Sequence, residues 1–177
     1  MSFLTVNSSA CYTLEPSGTF GVQEKAEPKC GTGVAGCPFT VTLETTELRF
    51  ASRIQAVEEA AGAVAEFLSR MGVGEDVAFG VDMAVREAVT NAVVHGNKLD
   101  ETKFADISLK SLPGAFEITV HDQGIGFNPS NIPDPTEAQN ILKTSGRGIF
   151  FMRNLMDEVE WSMDPKGGTT VRMMKKV

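Results

Sequence analysis

Residues 86–98, with the sequence REAVTNAVVHGNK, combine an apolar helical pattern with three polar side chains spaced four residues apart. At about 100° per residue, Glu87, Asn91 and His95 fall within an arc roughly 80° wide, next to the apolar arc that must face a core. A carboxylate and an amide at the border of a buried face are costly unless something satisfies them. The row therefore indicates either a solvated polar stripe, with His95 favoured by the helix dipole, or one wall of a binding site.

Hydrophobic periodicity on both sides of this stretch predicts strands and helices in the order ββααββαββ. The expected strands lie at residues 39–43 with a continuation through 50, 107–109, 116–120, 159–163 and 171–173, and the expected helices at 54–68, at 75–95 and directly after the SGRG turn. We expect Gly96 to close the second helix with a positive φ. The spacing of Thr136 and Gln139 predicts a further short helix through about Lys143. Consecutive strand pairs favour an α+β fold, a two-layer α/β sandwich whose mixed, mostly antiparallel sheet has its helices on one face.

The composition favours one compact domain with an extension. The chain has 177 residues, of which 42% are hydrophobic, and a formal net charge of −7. This acidic balance argues against nucleic acid as a direct partner, because phosphate binding needs clustered Lys and Arg. Residues 1–38 are rich in Gly, Ser, Thr and Pro without a sustained period, so we expect a flexible extension ahead of a domain at residues 39–177.

The sequence carries no signal for a membrane or an oxidising compartment. No run approaches the roughly 18 apolar residues that span a bilayer, and the N-terminus lacks the features of a secretory signal. Cys11, Cys30 and Cys37 are odd in number and have no CxxC spacing, so we expect reduced thiols; a redox-sensitive or metal-touching extension is the alternative. We therefore expect a cytoplasmic protein without a membrane partner.

Two glycine-containing motifs follow the polar row along the chain. In HDQGIGFNP, Asp122 ends an alternating strand, and Gly124 and Gly126 after it let backbone approach a ligand closely. In TSGRGIFF, Gly146 and Gly148 precede a helix, whose exposed N–H groups and positive dipole end suit phosphate. Each motif alone is typical of an ordinary turn. Their order and spacing relative to the polar row are specific.

Together these motifs resemble those of the ATP-binding (Bergerat, or GHKL) fold shared by DNA gyrase B, the Hsp90 chaperones, histidine kinases and MutL. Within that superfamily the sequence looks most like the small anti-sigma-factor serine kinases of partner-switching systems. REAVTNAVVHGN resembles the N box, DQGIGF the first glycine box, SGRGIFFMRNLMDEVEW the second glycine box and GGTTVRM the closing box. The resemblance runs from about Phe39 to Val177 and implies the α+β fold already expected.

The resemblance also implies a role for each matching residue. Asn91 would be the Mg²⁺ ligand, since this ion takes few protein oxygens and keeps several waters. Glu87 matches the position that orients or deprotonates the attacking hydroxyl. Asp122 would accept the exocyclic amino hydrogen of adenine, where guanine carries a carbonyl oxygen, and so select ATP. Thr169 or Thr170 would support the adenine; the sequence does not choose between them, and β-propensity alone is the alternative for the pair.

Residues 126–146 resemble the ATP lid of the family, which orders when the γ-phosphate arrives. The backbone of Ser145 and the three residues after it would hold phosphates. Some members carry an Arg directly before this Ser-Gly pair to contact the γ-phosphate. Here that position is Thr144, and Lys143 and Arg147 flank the motif, so either cation is a candidate for the contact.

The function implied by the resemblance is an anti-sigma factor that binds a sigma factor and uses Mg-ATP to phosphorylate a Ser or Thr on an anti-anti-sigma antagonist protein. No His precedes His95, which excludes autophosphorylation on histidine in cis, and the chain ends one strand after the closing box, so we expect a kinase acting in trans. Two alternatives stay open: a nucleotide-responsive binding module without kinase turnover, and a free-standing histidine-kinase-like domain. The family also implies a homodimer. We expect His95 to be structural or to act behind the site, and His121 to lie on the opposite sheet face.

Overall fold

The computed structural model describes residues 10–12, 41–126, 147–165 and 167–177. Within them the chain forms a five-stranded sheet packed against three α-helices, as the α+β prediction required. In chain order the elements are β1 (Ala10–Tyr12), β2 (Val41–Leu43), β3 (Thr45–Ala51), α1 (Ala56–Arg70), α2 (Glu75–Thr90), a π-helical turn (Asn91–Gly96), β4 (Phe104–Leu112), β5 (Ala115–His121), α3 (Arg147–Leu155), β6 (Glu158–Met163) and β7 (Thr169–Lys176).

The strand order of the large sheet is β3-β4-β5-β7-β6, and every neighbouring pair is antiparallel. The mixed sheet that we expected is thus antiparallel throughout in the described residues. The register of β5 and β7 sets His121 opposite Thr170. The end of β5 and the start of β7 therefore meet at one end of the sheet, which brings Asp122 close to Thr169.

The core lies between the inner sheet face and the helices. β5 alternates the buried residues Phe116, Ile118 and Val120 with polar residues at half-buried positions, as its period-two pattern predicts. Phe67 of α1 meets the Phe116 ring edge-on, with the ring centroids 6.4 Å apart and the planes at 83°. The helices thus cover the inner face, and the outer face keeps the polar residues.

The helix that carries the polar row changes from α-helical to π-helical geometry within the row. We expected one helix over residues 75–95, but α2 ends at Thr90, and Asn91–Gly96 forms a wider π-helical turn. The N–H of Asn97 closes this turn by donating to the carbonyl of Ala92 at 2.8 Å. Such turns are rare and occur frequently at functional sites.

Position 96 requires glycine for a different reason from the one that we predicted. It does not have a positive φ; in this segment the positive values belong to Lys98 (59°) and Leu99 (57°). A Cβ atom on Gly96 would lie 2.5 Å from the carboxyl carbon of Asp122. The position requires glycine because of this close approach, and the reversal of the chain follows two residues later.

A second, two-stranded sheet pairs β1 with β2 antiparallel, with Ala10 opposite Leu43. The sequence pattern does not predict a strand at residues 10–12, because three residues are too few to show a period. The rest of the expected extension and the short helix expected at residues 136–143 lie outside the described residues, so the domain boundary near residue 39 stays a prediction. None of the helices in the described ranges combines the length and apolar character that crossing a bilayer demands.

Candidate functional site

A pocket opens where the end of α2, the end of β5, the start of β7 and α3 meet. Its polar residues are Asn91, Asp122 and Thr169. Its apolar walls are Ala88, Ala92, Val120, Met152, Trp161 and Val171. Three predicted site residues that are far apart in the sequence thus share one pocket. Apolar walls with a few convergent polar groups are the usual form of a small-ligand site.

Asp122 directly follows β5 and is only 4% exposed. Its N–H donates to the carbonyl of Thr169 at 2.9 Å, which fixes the end of β5 against the start of β7. Its Oδ1 accepts the N–H of Gly124 at 2.8 Å. Among the described residues no Lys or Arg forms an ion pair with this carboxylate. Since a carboxylate can accept about four hydrogen bonds, Asp122 keeps acceptor capacity for a ligand.

Two glycines hold the backbone close to Asp122. Besides Gly96, whose Cβ would meet the carboxylate, Gly124 has no room for a side chain, because its Cβ would overlap the carbonyl oxygen of Gly96. Packing inside the protein therefore requires glycine at both positions, and the close approach of Gly124 to a ligand stays a prediction. Gly126 differs: it has a φ of 79°, and a Cβ there would lie 3.3 Å from the sulfur of Met163.

Asn97 is a buried residue of the site that the sequence analysis missed. Its Nδ2 donates to Ser52 Oγ at 2.7 Å and to the carbonyl of Phe104 at 2.9 Å. Its Oδ1 accepts the N–H of Gln123 at 2.8 Å, so it holds the residue next to Asp122. The Gln123 side chain in turn accepts the N–H of Phe104 at 2.9 Å. No short-range pattern could have revealed this role, since Ser52 and Gln123 are distant in the sequence.

Glu87 lies one turn before Asn91, where α3 begins beside α2. A Cβ on Gly148 would overlap the Glu87 carboxylate, so this half-buried side chain rests directly on the first turn of α3. Further along, a Cβ on Gly80 would lie 3.4 Å from Leu155 Cδ2, which shows that the two helices run antiparallel. A helix N-terminus carries unpaired N–H groups and the positive dipole end, and both favour a negative group.

The structure separates the two threonines of the closing motif. Thr169 is 4% exposed and lines the pocket. Thr170 faces the opposite side of the sheet, where its Oγ1 lies 2.9 Å from Nδ1 of His121, because neighbouring residues of a strand point to opposite faces. His121 is thus on the outer face, as predicted. His95 is exposed and lies outside the pocket.

Several predicted residues are not described. Lys143, Ser145, Gly146 and the segment 127–146 that resembles a lid lie outside the described residues. Arg147 is exposed at the first position of α3. In the part of the chain that is described, no three His, Cys, Asp or Glu side chains cluster as a metal site would require. An ion held through one amide oxygen needs no such cluster.

An open groove on the outer sheet face has a different character. It is lined in part by Glu160, Arg172 and Thr170. The Arg172 guanidinium lies 2.9 Å from Glu160 Oε2 and 2.5 Å from Glu117 Oε2. Because these charges are bonded to each other, the groove offers a ligand less than the inner pocket does.

One known protein family matches most of the chain. The family described as histidine kinase-like ATPase domain matches residues 50–175, which include every residue that lines the inner pocket. The chain belongs to this family. Membership in a family of ATPase domains implies that the protein binds ATP.

The curated relatives are small proteins that match over most of their length. An "Anti-sigma F factor" from Geobacillus kaustophilus (strain HTA426) is 34% identical over 137 residues, covering 73% of this chain and 90% of that protein. The protein of the same name from Geobacillus stearothermophilus is 35% identical over 135 residues, covering 72% and 89%. That from Clostridium perfringens (strain SM101 / Type A) is 32% identical over 118 residues, covering 64% and 83%.

Two solved structures share the fold. One contains the RsbU and RsbW domains of Rv1364c from Mycobacterium tuberculosis; the match has a TM-score of 0.53 at 21% identity and covers 73% of this chain and 32% of that one. The other is the SiaB–SiaC complex from Pseudomonas aeruginosa, with a TM-score of 0.55 at 14% identity, covering 72% and 88%. These matches confirm the α+β fold predicted from the sequence.

Proposed function

We propose that this protein is an anti-sigma factor with ATP-dependent serine/threonine protein kinase activity on an anti-anti-sigma antagonist protein, acting in transcription regulation by partner switching. Relatives named anti-sigma F factor, matched over about nine tenths of their length, support the first part. The observation that carries the proposal is the arrangement of three residues. Asp122 and Asn91 line one pocket, and Glu87 stands one turn from Asn91 beside the start of α3.

Adenine is the base that we assign to the part of the pocket lined by Asp122. The Asp122 carboxylate would accept the exocyclic amino hydrogen of adenine, whereas guanine presents a carbonyl oxygen there and would be repelled. Thr169, inside the pocket, would add a hydroxyl contact, directly or through water. The apolar walls contributed by Val120 and Trp161 suit the faces of a purine.

Mg²⁺ and the phosphates are assigned to Asn91 and to the residues around the start of α3. Asn91 would hold the ion through its amide oxygen, and the bound ion would neutralise charge on the nucleotide phosphates. The backbone of Ser145, Gly146, Arg147 and Gly148 would bind the phosphates at the first turn of α3. Either Lys143 or Arg147 would supply the cation at the γ-phosphate, in place of the Arg that other members carry.

Glu87 would act on the protein substrate. Its carboxylate lies at the same end of α3 at which the phosphates would bind, so a hydroxyl between them would be within reach of both. Glu87 would orient this Ser or Thr hydroxyl and accept its proton as the oxygen attacks phosphorus. General bases of this kind contribute roughly 10²–10⁴-fold to the rate.

Phosphoryl transfer from γ-labelled ATP to candidate antagonist proteins of the same organism tests the proposal. We expect acid-stable label on a Ser or Thr, and Glu87→Ala should reduce the transfer rate at least about 100-fold while nucleotide binding is retained. Glu66→Ala, which removes an exposed carboxylate of α1, is the matched control and should leave the rate unchanged. Binding without transfer would favour the nucleotide-responsive module, and acid-labile label would favour a histidine kinase.

The remaining parts of the proposal concern partners. A sigma factor and the antagonist would compete for the protein, and ATP and ADP would bias which of them is held. Phosphorylation would release the antagonist by adding charge at a packed interface. We also propose that the protein acts in the cytoplasm as a homodimer, which sedimentation of the purified chain would test.

A further inference from the structure

An exposed apolar surface lies next to Glu87 and takes no part in the core. Its members are Phe79 and Met83 on α2, which are 70% and 42% exposed, and Phe150 and Phe151 on α3, which are 37% and 47% exposed. We call these four residues the apolar strip. Together they leave on the order of 400 Å² of apolar side chain in contact with solvent, which is the size of patch that marks interaction sites in soluble proteins.

The strip and Glu87 share one line along α2. Phe79, Met83 and Glu87 are spaced four residues apart, so they stay within an arc of about 80°, and Met83 lies about 6 Å along the axis from Glu87. The other apolar residues near them on α2, such as Val81 and Val85, are fully buried in the core. Phe79 and Met83 are therefore not part of the core-facing stripe.

α3 extends the same surface on the other side of Glu87. Gly148 of α3 touches Glu87, and Leu155 of α3 lies over Gly80. The residues of α3 between Gly148 and Leu155 therefore run alongside the segment of α2 from Met83 to Glu87. Phe151, one turn beyond Gly148, is on this stretch, and its ring meets that of Phe150 at a centroid distance of 6.2 Å. Phe151 thus lies on the part of α3 that borders Met83 and Glu87, and Phe150 adjoins it on the solvent side of α3.

We propose that the apolar strip is the docking surface for the protein that donates the phosphoacceptor hydroxyl; this inference rests on the kinase function proposed above. The pocket residue Asn91, at the start of the π-helical turn, lies one turn after Glu87, and Met83 lies one turn before it on α2. A hydroxyl must come within about 3 Å of Glu87 to give up its proton. A folded protein that places its hydroxyl there must cover the surface within the next one or two turns, which is the strip.

Charge defines the chemistry of this partner further. Glu75 and Asp76 are exposed in the first turn of α2, beyond Phe79, and neither forms an ion pair within the described residues. The protein as a whole has a net charge of −7. The complementary partner carries exposed apolar side chains next to its Ser or Thr and Lys or Arg on the side that faces Glu75.

The test measures transfer rates against the concentration of the purified acceptor protein that takes up label in the assay above. Phe79→Ser and Met83→Ser should each raise the KM for that acceptor about 10-fold or more, with kcat within about twofold and nucleotide affinity unchanged. Asp76→Lys should also raise this KM, and more so at low salt. Val177→Ser, which replaces a side chain 57% exposed at the far end of the sheet, is the matched control and should change neither constant.

The outcomes separate this inference from the proposed function. If no protein takes label from the unsubstituted chain, the kinase function fails and the docking surface fails with it. Normal transfer with an unchanged KM in both Phe79→Ser and Met83→Ser would overturn the docking surface alone. The same conclusion follows if these variants change only the sedimentation of the free protein or only its binding to a sigma factor, since the strip would then serve a second copy or another partner.

Discussion

Two carboxylates, Glu117 on β5 and Asp122 directly after it, have opposite surroundings. Glu117, on the outer face of β5, lies 2.5 Å from the guanidinium of Arg172 and 3.2 Å from the ammonium of Lys110. Asp122, the first residue after that strand, is 4% exposed, and its carboxylate accepts only the backbone N–H of Gly124 among the described groups. A charge that the fold has already neutralised is structural, whereas a buried charge with spare acceptor capacity indicates a ligand.

The difference extends to whole faces of the sheet. On the outer face an ionic chain of Lys110, Glu117, Arg172 and Glu160 crosses four neighbouring strands from β4 to β6. Near the pocket the polar groups are held chiefly by hydrogen bonds through Asn97, and no ion pair contributes among the residues that the structure describes. We therefore expect substitutions on the inner side to have large effects on stability or binding and those on the outer face to have small ones.

The largest expected effect is on stability, at Asn97. Asn97→Ala removes three hydrogen bonds from a fully buried position and leaves the N–H of Gln123 without its acceptor, which should cost about 3 kcal/mol of unfolding free energy. Urea denaturation measures this loss. The matched control is Ser108→Ala, since Ser108 Oγ is buried with no partner in the described structure, and we expect a change within about 0.5 kcal/mol. Equal losses in both variants would contradict the comparison.

The next effect is on nucleotide binding, at Asp122. Asp122→Ala removes the charged acceptor at the base of the pocket, and hydrogen bonds to charged groups are worth about 1.5–3 kcal/mol, so ATP and ADP affinity should fall about 100-fold. Calorimetric titration measures both affinities, with circular dichroism to confirm that the variant is folded. Glu117→Gln on the same strand should bind both nucleotides as the unsubstituted protein does. Retained affinity in Asp122→Ala would remove the basis for the adenine assignment.

How much of this could be predicted from the sequence depends on the range of the contacts. Local patterns predicted the helical row of Glu87 and Asn91 and the position of Asp122 after a strand. The order of the strand pairs predicted a mostly antiparallel sheet. The contact between Gly148 and Glu87 could not be predicted, because it depends on how α3 lies on α2. The side chain of Thr169 could not be assigned to the pocket either, because this depends on which face of β7 is turned toward the pocket.

Asn97 shows the same limit most clearly. It is the last residue but one of the stretch 86–98, but nothing local separates a buried network residue from a loop asparagine. Its partners come from Ser52, Phe104 and Gln123, which reach it only through the tertiary fold. The predicted positive φ at Gly96 failed for a related reason, since the need for glycine came from Asp122 and not from the helix end.

A smaller effect is expected at Glu117, on the free energy of unfolding at acidic pH. Burial raises the pKa of Glu117, but hydrogen bonds and charges from Arg172 and Lys110 outweigh it and leave the pKa below its usual value. The unfolded chain, with a Glu pKa of about 4.3, then binds the proton more readily, so this stabilisation is present above about pH 4.3 and is lost as the pH falls through the lower folded value. Urea denaturation between pH 7 and pH 3 should show the difference between the unsubstituted protein and Glu117→Gln shrinking toward acid. Glu66→Gln, at an exposed site on α1, is the control, and a difference that is constant with pH would argue against the ionic contribution.

The smallest effect is expected at Arg49, on the outer face of the edge strand β3. Its Nε lies 2.5 Å from Asp106 Oδ1, and its guanidinium lies 5.4 Å from the centroid of the Phe104 ring. The Arg49 side chain is 63% exposed, so solvent screens the pair, and Arg49→Ala should cost less than about 1 kcal/mol in urea denaturation. At 1 M salt the Debye length falls to about 3 Å, and the ionic part of this cost should disappear, while the contact with Phe104 remains. A cost above about 2 kcal/mol that persists in salt would mean that the outer face stabilises the fold as strongly as the hydrogen-bond network of Asn97 does. The contrast between the two faces would then not separate structural charges from ligand-binding ones.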